Sequence, residues 1–216
     1  MTTVFIGGSR RITRINDTIR SRTNNIINQG MRVLIGDANG ADRAMQQYFV
    51  NNGYKNVIVY CMGEHCRNNL GNWPAKHISS DRSRRDFAFY ATKDLEMARE
   101  ASYGFMIWDG KSIGTLNNIL NLLSQQKNVL VYFSSERTCY TLKSLEELRP
   151  LFDKCDTIDR QKFEKVLSAP RQSIIAKPCH ELFAQQEHAH PQELFSEVSH
   201  PGIASMGWLL SVGAKL

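Results

Sequence analysis

Short apolar runs alternate with helical patterns along the first 135 residues of the chain. Each run is too short for a helix, and two of them end at glycines, which is typical of buried strands in a parallel sheet. The pattern predicts strands over 3–7, 31–35, 57–60, 104–108 and 129–133.

Helical spacing of apolar residues fills the gaps between these runs. Ile15, Ile19, Ile26 and Ile27 recur at about the period of a helix, and Gly30 follows as a stop signal. Similar patterns cover 41–52, 88–101 and 113–124, and the pattern over 88–101 is carried by Ala88, Ala91, Leu95, Ala98 and Ala101. Strand–helix–strand repeats predict an α/β, Rossmann-like three-layer fold with a parallel sheet of about five strands.

The regular alternation stops after residue 133. Residues 61–80 show no period and predict a long connection, and residues 142–152 and 163–167 predict short helices at the edge of the sheet. Five of the six prolines and four of the six histidines lie in the last third of the chain. We therefore predict a Rossmann-like domain over 1–150 and a partly irregular C-terminal appendage over 151–216.

Composition places the chain among ordinary globular proteins, with 42% hydrophobic and 22% charged residues. No apolar stretch reaches the length of a membrane span, and the N-terminus lacks a signal-peptide pattern, so we expect a cytoplasmic protein without a membrane partner. The cysteine count of five is odd and no CxxC pair occurs, which predicts free thiols. Cys179 and the histidines of the C-terminal third match no zinc template, so no metal site is predicted.

Positive charge is concentrated near the N-terminus. The net charge is +6, and five arginines lie within the first thirty residues, where Asp17 is the one acidic residue. Because this charge lies beside glycine-rich turns, it favours a phosphate-binding site over a general polyanion surface.

Three turns rich in glycine and small residues follow predicted strands, at the edge where open parallel sheets bind ligands. Glycine lets the backbone approach an anion, and a helix N-terminus favours negative charge. The predicted ligand-binding residues come from these turns: Gly7, Gly8, Ser9 and Arg10; Gly36, Asp37, Gly40, Ala41 and Asp42; and Asp109, Gly110, Lys111, Ser112, Gly114, Thr115 and Asn118.

Two common nucleotide motifs are excluded. Five residues separate Gly104 from the Gly110-Lys111-Ser112 sequence where a Walker A motif has four, and those five belong to an apolar strand. The dinucleotide fingerprint is absent after the first strand, because Ile12 stands where its last glycine belongs. Neither an ATPase nor a nicotinamide-dependent enzyme is expected, and no cofactor is predicted.

Taken together, the GGSR turn at Gly7, the GxxxGAD turn at Gly36 and the Gly114-Thr115 pair resemble the SLOG superfamily. This superfamily includes the lonely-guy phosphoribohydrolases, the DNA-processing protein DprA and YspA/YpsA-type nucleotide-binding proteins. The resemblance covers about residues 3 to 135 and is greatest to the YspA type. It implies a Rossmann-like fold, a nucleotide or nucleotide-derived ligand and a homo-oligomer.

The resemblance also exposes two differences at the catalytic positions of the lonely-guy enzymes. Their RKxxM helix and PGGxGTxxE turn supply a catalytic Arg and Glu, whereas Lys93 and Asn118 stand at these positions here. Hydrolysis of an N-glycosidic bond needs a carboxylate to activate water and stabilise developing positive charge. Asp37, Asp42 and Asp109 are the candidates to replace it, so whether the chain is an enzyme stays open.

Three functions follow in order of preference. The first is binding of a nucleoside monophosphate or an ADP-ribose type of ligand, in the role of a sensor. The second is hydrolysis of an N-glycosidic or phosphoester bond of such a nucleotide. The third is binding of single-stranded nucleic acid, which the arginine clusters and aromatic content favour.

Overall fold

The computed structural model describes residues 1–79 and 86–168. Its single sheet has seven strands, which are β1 (Thr3–Gly8), β2 (Arg32–Gly36), β3 (Val57–Met62), β4 (Ala75–Ile78), β5 (Tyr103–Trp108), β6 (Val129–Phe133) and β7 (Thr138–Leu142). The helices are α1 (Asp17–Asn28), α2 (Ala41–Asn51), α3 (Phe87–Glu100), α4 (Ile113–Leu123), α5 (Arg149–Phe152) and α6 (Thr157–Ser168).

The strand order is β4-β3-β2-β1-β5-β6-β7, and every neighbouring pair is parallel except β6 with β7. The chain builds outward from β1 to β4, then returns to the other side of β1 as β5. The direction of winding therefore reverses between β1 and β5. Open parallel sheets bind ligands beyond the carboxyl ends of the strands at such a reversal.

Helices cover both faces of the sheet and create two apolar cores. One core joins α1 and α2 to the sheet through residues such as Ile19, Met45 and Phe49. The other joins α3, α4, α5 and α6 to the opposite face, and it includes Trp108 and Phe163. The α/β, Rossmann-like three-layer fold predicted from the sequence is confirmed.

The number of strands differs from the prediction of about five. The four-residue strand β4 lies within the segment predicted as a continuous connection, and three of its four residues are exposed, so it carries little apolar signal. Strand β7, at the antiparallel edge of the sheet, has two exposed residues, two half-buried residues and one buried residue. Edge strands bury little on one side, which is why an apolar pattern misses them.

The segment after β7 is also arranged differently from the predicted helices over 142–152 and 163–167. A short 3-10 turn, Glu146–Leu148, leads into α5, and α6 spans twelve residues. Phe152 and Phe163 are fully buried and pack on Trp108, with ring centroids 6.4 and 5.4 Å away.

The first compact unit of the chain is Met1–Pro170. Helices α5 and α6 belong to this unit and share a core with α3 and α4. The predicted domain boundary at residue 150 stays a prediction. Cys179, the histidines of the C-terminal third and the arginines at 82, 84 and 85 lie outside the described residues. None of the described helices is long and apolar enough to cross a membrane.

The prediction of five free thiols is wrong for two cysteines. Cys61 at the end of β3 and Cys66 in the following loop form a disulfide, while Cys139 and Cys155 are free. The pairing depends on the turn that folds the loop back over the strand end, where Gly63 has a positive φ of 73°. A spacing of five residues does not reveal such a turn.

Candidate functional site

A cavity of about 480 Å³ lies at the reversal point between β1 and β5. Its walls come from the turns after β1, β2 and β5, from α3, from the first turns of α4, and from Arg67 in the β3–β4 loop. The predicted residues that line it are Gly7, Gly8, Arg10, Asp42, Lys93, Asp109, Lys111, Ser112, Gly114, Thr115 and Asn118.

The other predicted residues form the layer behind this surface: Ser9, Gly36, Asp37, Gly40, Ala41 and Gly110. Two glycines of these turns, one from each group, allow close packing of backbone. A Cβ on Gly40, which has a φ of 84°, would lie 2.2 Å from the Arg10 carbonyl oxygen. A Cβ on Gly8 would lie 2.5 Å from the Ile107 carbonyl oxygen. Glycine at these positions therefore brings the three turns together.

Asp109 shapes the turn after β5. Its Oδ1 accepts hydrogen bonds from the Ser9 hydroxyl at 2.9 Å, the Lys111 N–H at 2.9 Å and the Ser112 N–H at 2.8 Å. The Thr115 hydroxyl in turn donates to the Ser112 hydroxyl at 3.0 Å. One oxygen of Asp109 is thus committed to organising the turn.

The N-terminus of α4 opens into the cavity. Ser112 caps the helix by accepting from the Thr115 N–H at 3.2 Å. Within the described ranges, no acceptor is bonded to the N–H groups of Ile113 and Gly114. Space around Gly114 is open, since a Cβ there would meet nothing closer than 3.9 Å. Unpaired N–H groups at a helix N-terminus favour an anion.

Asn118 lies one turn further along α4 and is 7% exposed. Its Oδ1 is buried and has no hydrogen-bond partner among the described residues. A buried acceptor without a donor costs roughly 1–3 kcal/mol. A ligand hydroxyl or amine in the cavity would satisfy it.

Buried charges form the floor of the cavity. Lys93 Nζ lies 2.6 Å from Asp94 Oδ1. The side chains of Lys93 and Asp42 both pack against Gly36. Burial raises the pKa of Asp42 to about 7, although the ammonium group of Lys93 opposes the rise. Burial lowers the pKa of Lys93, but the Asp94 and Asp42 carboxylates outweigh it and raise that pKa above its usual value. Titratable groups perturbed in this way are typical of functional clefts.

Arg67 and Asp37 form an ion pair that the sequence did not indicate. Arg67 Nη2 and Nε donate to Asp37 Oδ1 at 2.6 Å and to Oδ2 at 3.0 Å, and its backbone N–H donates to Oδ2 at 3.1 Å. Burial raises the pKa of Asp37, but these contacts with Arg67 outweigh it and hold that pKa below its usual value. Asp37 is therefore an ionised partner of Arg67, located behind the cavity wall.

An aromatic wall from α3 faces these charges. The Arg67 guanidinium lies 4.7 Å from the ring centroid of Tyr90, within the range of a cation–π contact, and Arg10 lies 5.8 Å away. Phe87, one turn earlier, is 54% exposed. The spacing of Phe87, Tyr90, Asp94 and Met97 places one face of α3 along the cavity. Of this helix, the sequence indicates Lys93 as a candidate site residue, but not Phe87 or Tyr90.

The remaining cations at the rim differ in their pairing. Lys111 Nζ lies 3.0 Å from Asp156 Oδ2, so this carboxylate, on the residue before α6, partly neutralises the charge of Lys111. Arg10 and Arg11 are exposed and form no ion pair within the described part of the chain. These two arginines remain available to an anionic ligand.

Comparison with known proteins identifies structural neighbours. No family model and no curated protein matches the chain. A solved structure of DNA processing protein A from Helicobacter pylori, described for its mode of binding single-stranded DNA, is 15% identical. The match has a TM-score of 0.47 and covers 77% of this chain and 80% of that one.

Proposed function

We propose that the cavity binds a nucleotide or nucleotide-derived ligand of the nucleoside monophosphate or ADP-ribose type. One observation carries this proposal: Gly114, with a free N–H at the start of α4, and Asn118, whose buried Oδ1 has no partner among the described residues, line the same cavity one helical turn apart. A phosphorylated sugar has an anion and hydroxyl donors at that kind of separation.

Each part of such a ligand has a complementary group. The N–H groups of Ile113 and Gly114 donate to phosphate, and Arg10 and Arg11 add positive charge at the rim. Asn118 Oδ1 accepts from a ribose hydroxyl. The exposed ring of Phe87 offers a stacking surface for a base.

The same residues support the narrower assignment to the SLOG superfamily and its YspA type. The GGSR and GxxxGAD turns lie together at the reversal of the sheet, and Lys93 and Asn118 line the cavity at the positions of the lonely-guy catalytic residues. The sensor role and the homo-oligomer are proposals on this basis, and light scattering with and without ligand tests the second.

Binding is tested by equilibrium dialysis with AMP, GMP, CMP, UMP, NAD and ADP-ribose. The informative variant is Gly114→Asp, which adds negative charge at the helix N-terminus. There is room for the side chain, and an acidic residue in a first turn stabilises the helix. We expect folding to be preserved and affinity to fall at least about tenfold, since the loss of one phosphate contact is worth about 1.4 kcal/mol or more.

Gly114→Ala is the matched control, because it adds a Cβ without charge and retains the N–H. Its affinity should stay close to that of the unmodified protein. Equal affinity in the aspartate variant would contradict the placement of phosphate, and no binding of any nucleotide would contradict the proposal.

Hydrolysis is the second candidate, and Asp42 is the observation that favours it. A cavity-lining carboxyl with a pKa of about 7 exchanges a proton with water near neutral pH, which suits a general base. Asp37 is engaged by Arg67, and one oxygen of Asp109 is committed to its turn. Release of free base from a bound nucleotide, lost in Asp42→Asn with binding retained, is the expected result for this activity.

Binding of single-stranded nucleic acid gives a different result in the same dialysis. An oligonucleotide would bind with a steep dependence on salt, because several phosphates release counterions. A mononucleotide held by one phosphate site depends on salt much less. The slope of affinity against salt therefore separates the two ligands.

A further inference from the structure

A second group of chemically active side chains lies at the carboxyl ends of β3 and β4. Cys61 and His77 are register partners on these adjacent parallel strands, and Cys66 returns to them from the loop. Two sulfurs and a ring nitrogen of this trio lie within 4.8 Å of one another. None of the three lines the cavity described above.

Spacing and hydrogen bonding match those of a metal site. Four residues separate the cysteines, within the usual range for a pair of zinc ligands. His77 Nδ1 lies 2.8 Å from the Gly63 carbonyl oxygen, which only accepts, so Nδ1 carries the proton. The lone pair of the neutral ring is then on Nε2. A carbonyl that orients the imidazole in this way is the common outer partner of a histidine ligand.

We propose that the reduced Cys61 and Cys66, together with His77, form a binding site for a Zn²⁺-class cation. A dithiol reductant converts the disulfide to two thiols and is itself oxidised to a disulfide. The cation then displaces one proton from each thiol. Two thiolates balance its two positive charges, and the neutral imidazole is the third ligand, with water completing a tetrahedron.

Burial agrees with this assignment. Cys61 is fully buried, Cys66 is half-buried, and His77 is exposed, so the cation enters from the side of the imidazole. A site with no net charge suits a partly buried position, because an uncompensated charge there is costly. Oxidised and metal-bound forms both tie Cys66, the residue before Arg67, to the end of β3.

The test uses the full chain, reduced with a phosphine under anaerobic conditions and titrated with Co²⁺ as a spectroscopic probe. We expect one equivalent to bind, with a thiolate-to-cobalt charge-transfer band and the visible bands of tetrahedral Co²⁺. Zn²⁺ should displace it and remove two thiols from the count that a disulfide reagent detects. Reduced protein without the charge-transfer band would overturn the proposal.

Variants identify the ligands. Cys66→Ser should weaken Co²⁺ binding more than about 100-fold, and His77→Ala about tenfold or more, as losing a ligand costs at least as much as losing an outer partner. Cys139→Ser, a free cysteine on β7, is the control and should leave binding unchanged. His77 is exposed, so its variant tests the site even where a cysteine variant misfolds. Unchanged affinity in His77→Ala and Cys66→Ser would overturn the assignment.

Discussion

Gly36, at the end of β2, has two buried charged groups where a side chain would lie. A Cβ there would be 2.5 Å from Asp42 Oδ2 and 3.0 Å from Lys93 Nζ. We expect Gly36→Ala to lower the free energy of unfolding by about 1–3 kcal/mol, because the packed carboxylate and ammonium must move. Gly114→Ala, where the Cβ meets open space, should be neutral or slightly stabilising. Urea denaturation of both variants checks the difference, and equal losses would contradict it.

Asp42 gives a pH dependence of stability with a defined sign. Its pKa is about 7 in the folded protein and near 3.8 when the chain is unfolded, so the folded state binds more protons between these values. The free energy of unfolding contributed by this group therefore falls as the pH rises from about 4 to about 7, by at most about 1.4 kcal/mol per pH unit.

Asp42→Asn should remove this contribution and flatten the profile over that window. Urea denaturation at several pH values measures the slope, and Asp17→Asn, at an exposed position, is the control. An unchanged slope in Asp42→Asn would show that the carboxylate is solvated or fully compensated by Lys93.

At the level of elements, an ion pair contributes to holding the loop between β3 and β4 against the site. Asp37 has a side chain 2% exposed, and Arg67 reaches it from the loop. We expect Arg67→Met to destabilise the protein by about 3 kcal/mol, because it leaves a buried carboxylate unpaired. Arg20→Met breaks an exposed pair and should cost less than about 1 kcal/mol.

The stability that the Arg67–Asp37 pair contributes also depends on pH. Because Arg67 lowers the pKa of Asp37, this pair stabilises the protein above the ordinary range of an aspartate, and its contribution is lost as the pH falls. The stability difference between Arg67→Met and the unmodified protein should shrink on acidification. A difference that is constant with pH would show that Arg67 acts through packing on Tyr90.

Helix α3 shows how an element can be predicted correctly while its buried face is predicted only in part. Its extent follows from the sequence, but the alanine stripe with Leu95 does not mark the whole buried face. Lys93 and Met97 are buried together with Ala98 of that stripe, whereas Leu95 is half-buried. A lysine is assigned to solvent from sequence because an unpaired buried ammonium is costly. Asp94 and Asp42 provide the charge compensation, and the packing of α3 over the end of β2 brings them there.

For the whole molecule, the packing of helices α5 and α6 decides how far the first compact unit extends. Phe163 is fully buried against Trp108, and Phe152 packs on both rings. A fragment of residues 1–150 should therefore be much less stable than one of residues 1–168, since each lost phenylalanine costs about 3–5 kcal/mol. Trp108 fluorescence should shift to the red in the shorter fragment.

Point variants separate packing from chain length in this experiment. Phe163→Ala should lower stability by about 3–5 kcal/mol, whereas Ile158→Ala, at a position 69% exposed, should have little effect. Equal stability of the two fragments would support the predicted domain boundary at residue 150.

The sequence by itself determined the alternation of strands and helices from β1 to α4, apart from β4, as well as the parallel sheet and the turns at its edge. These features follow from local periodicity and from glycines that approach backbone closely at Gly8 and Gly40. It also pointed to Asp42, Lys93, Gly114 and Asn118, which line one cavity. Parallel strands end at one edge of the sheet, so residues just after them meet there.

Only the tertiary structure decided the pairings between distant segments. These pairings depend on how the β3–β4 loop and α3 pack. They are the contacts of Arg67 with Asp37, of Tyr90 with Arg10 and Arg67, and of Cys61 with Cys66 and His77. It likewise determined that Asn118 Oδ1 is buried without a partner and that burial raises the pKa of Asp42. Burial and charge compensation are sums over neighbours that are far apart in the chain, so no local pattern contains them.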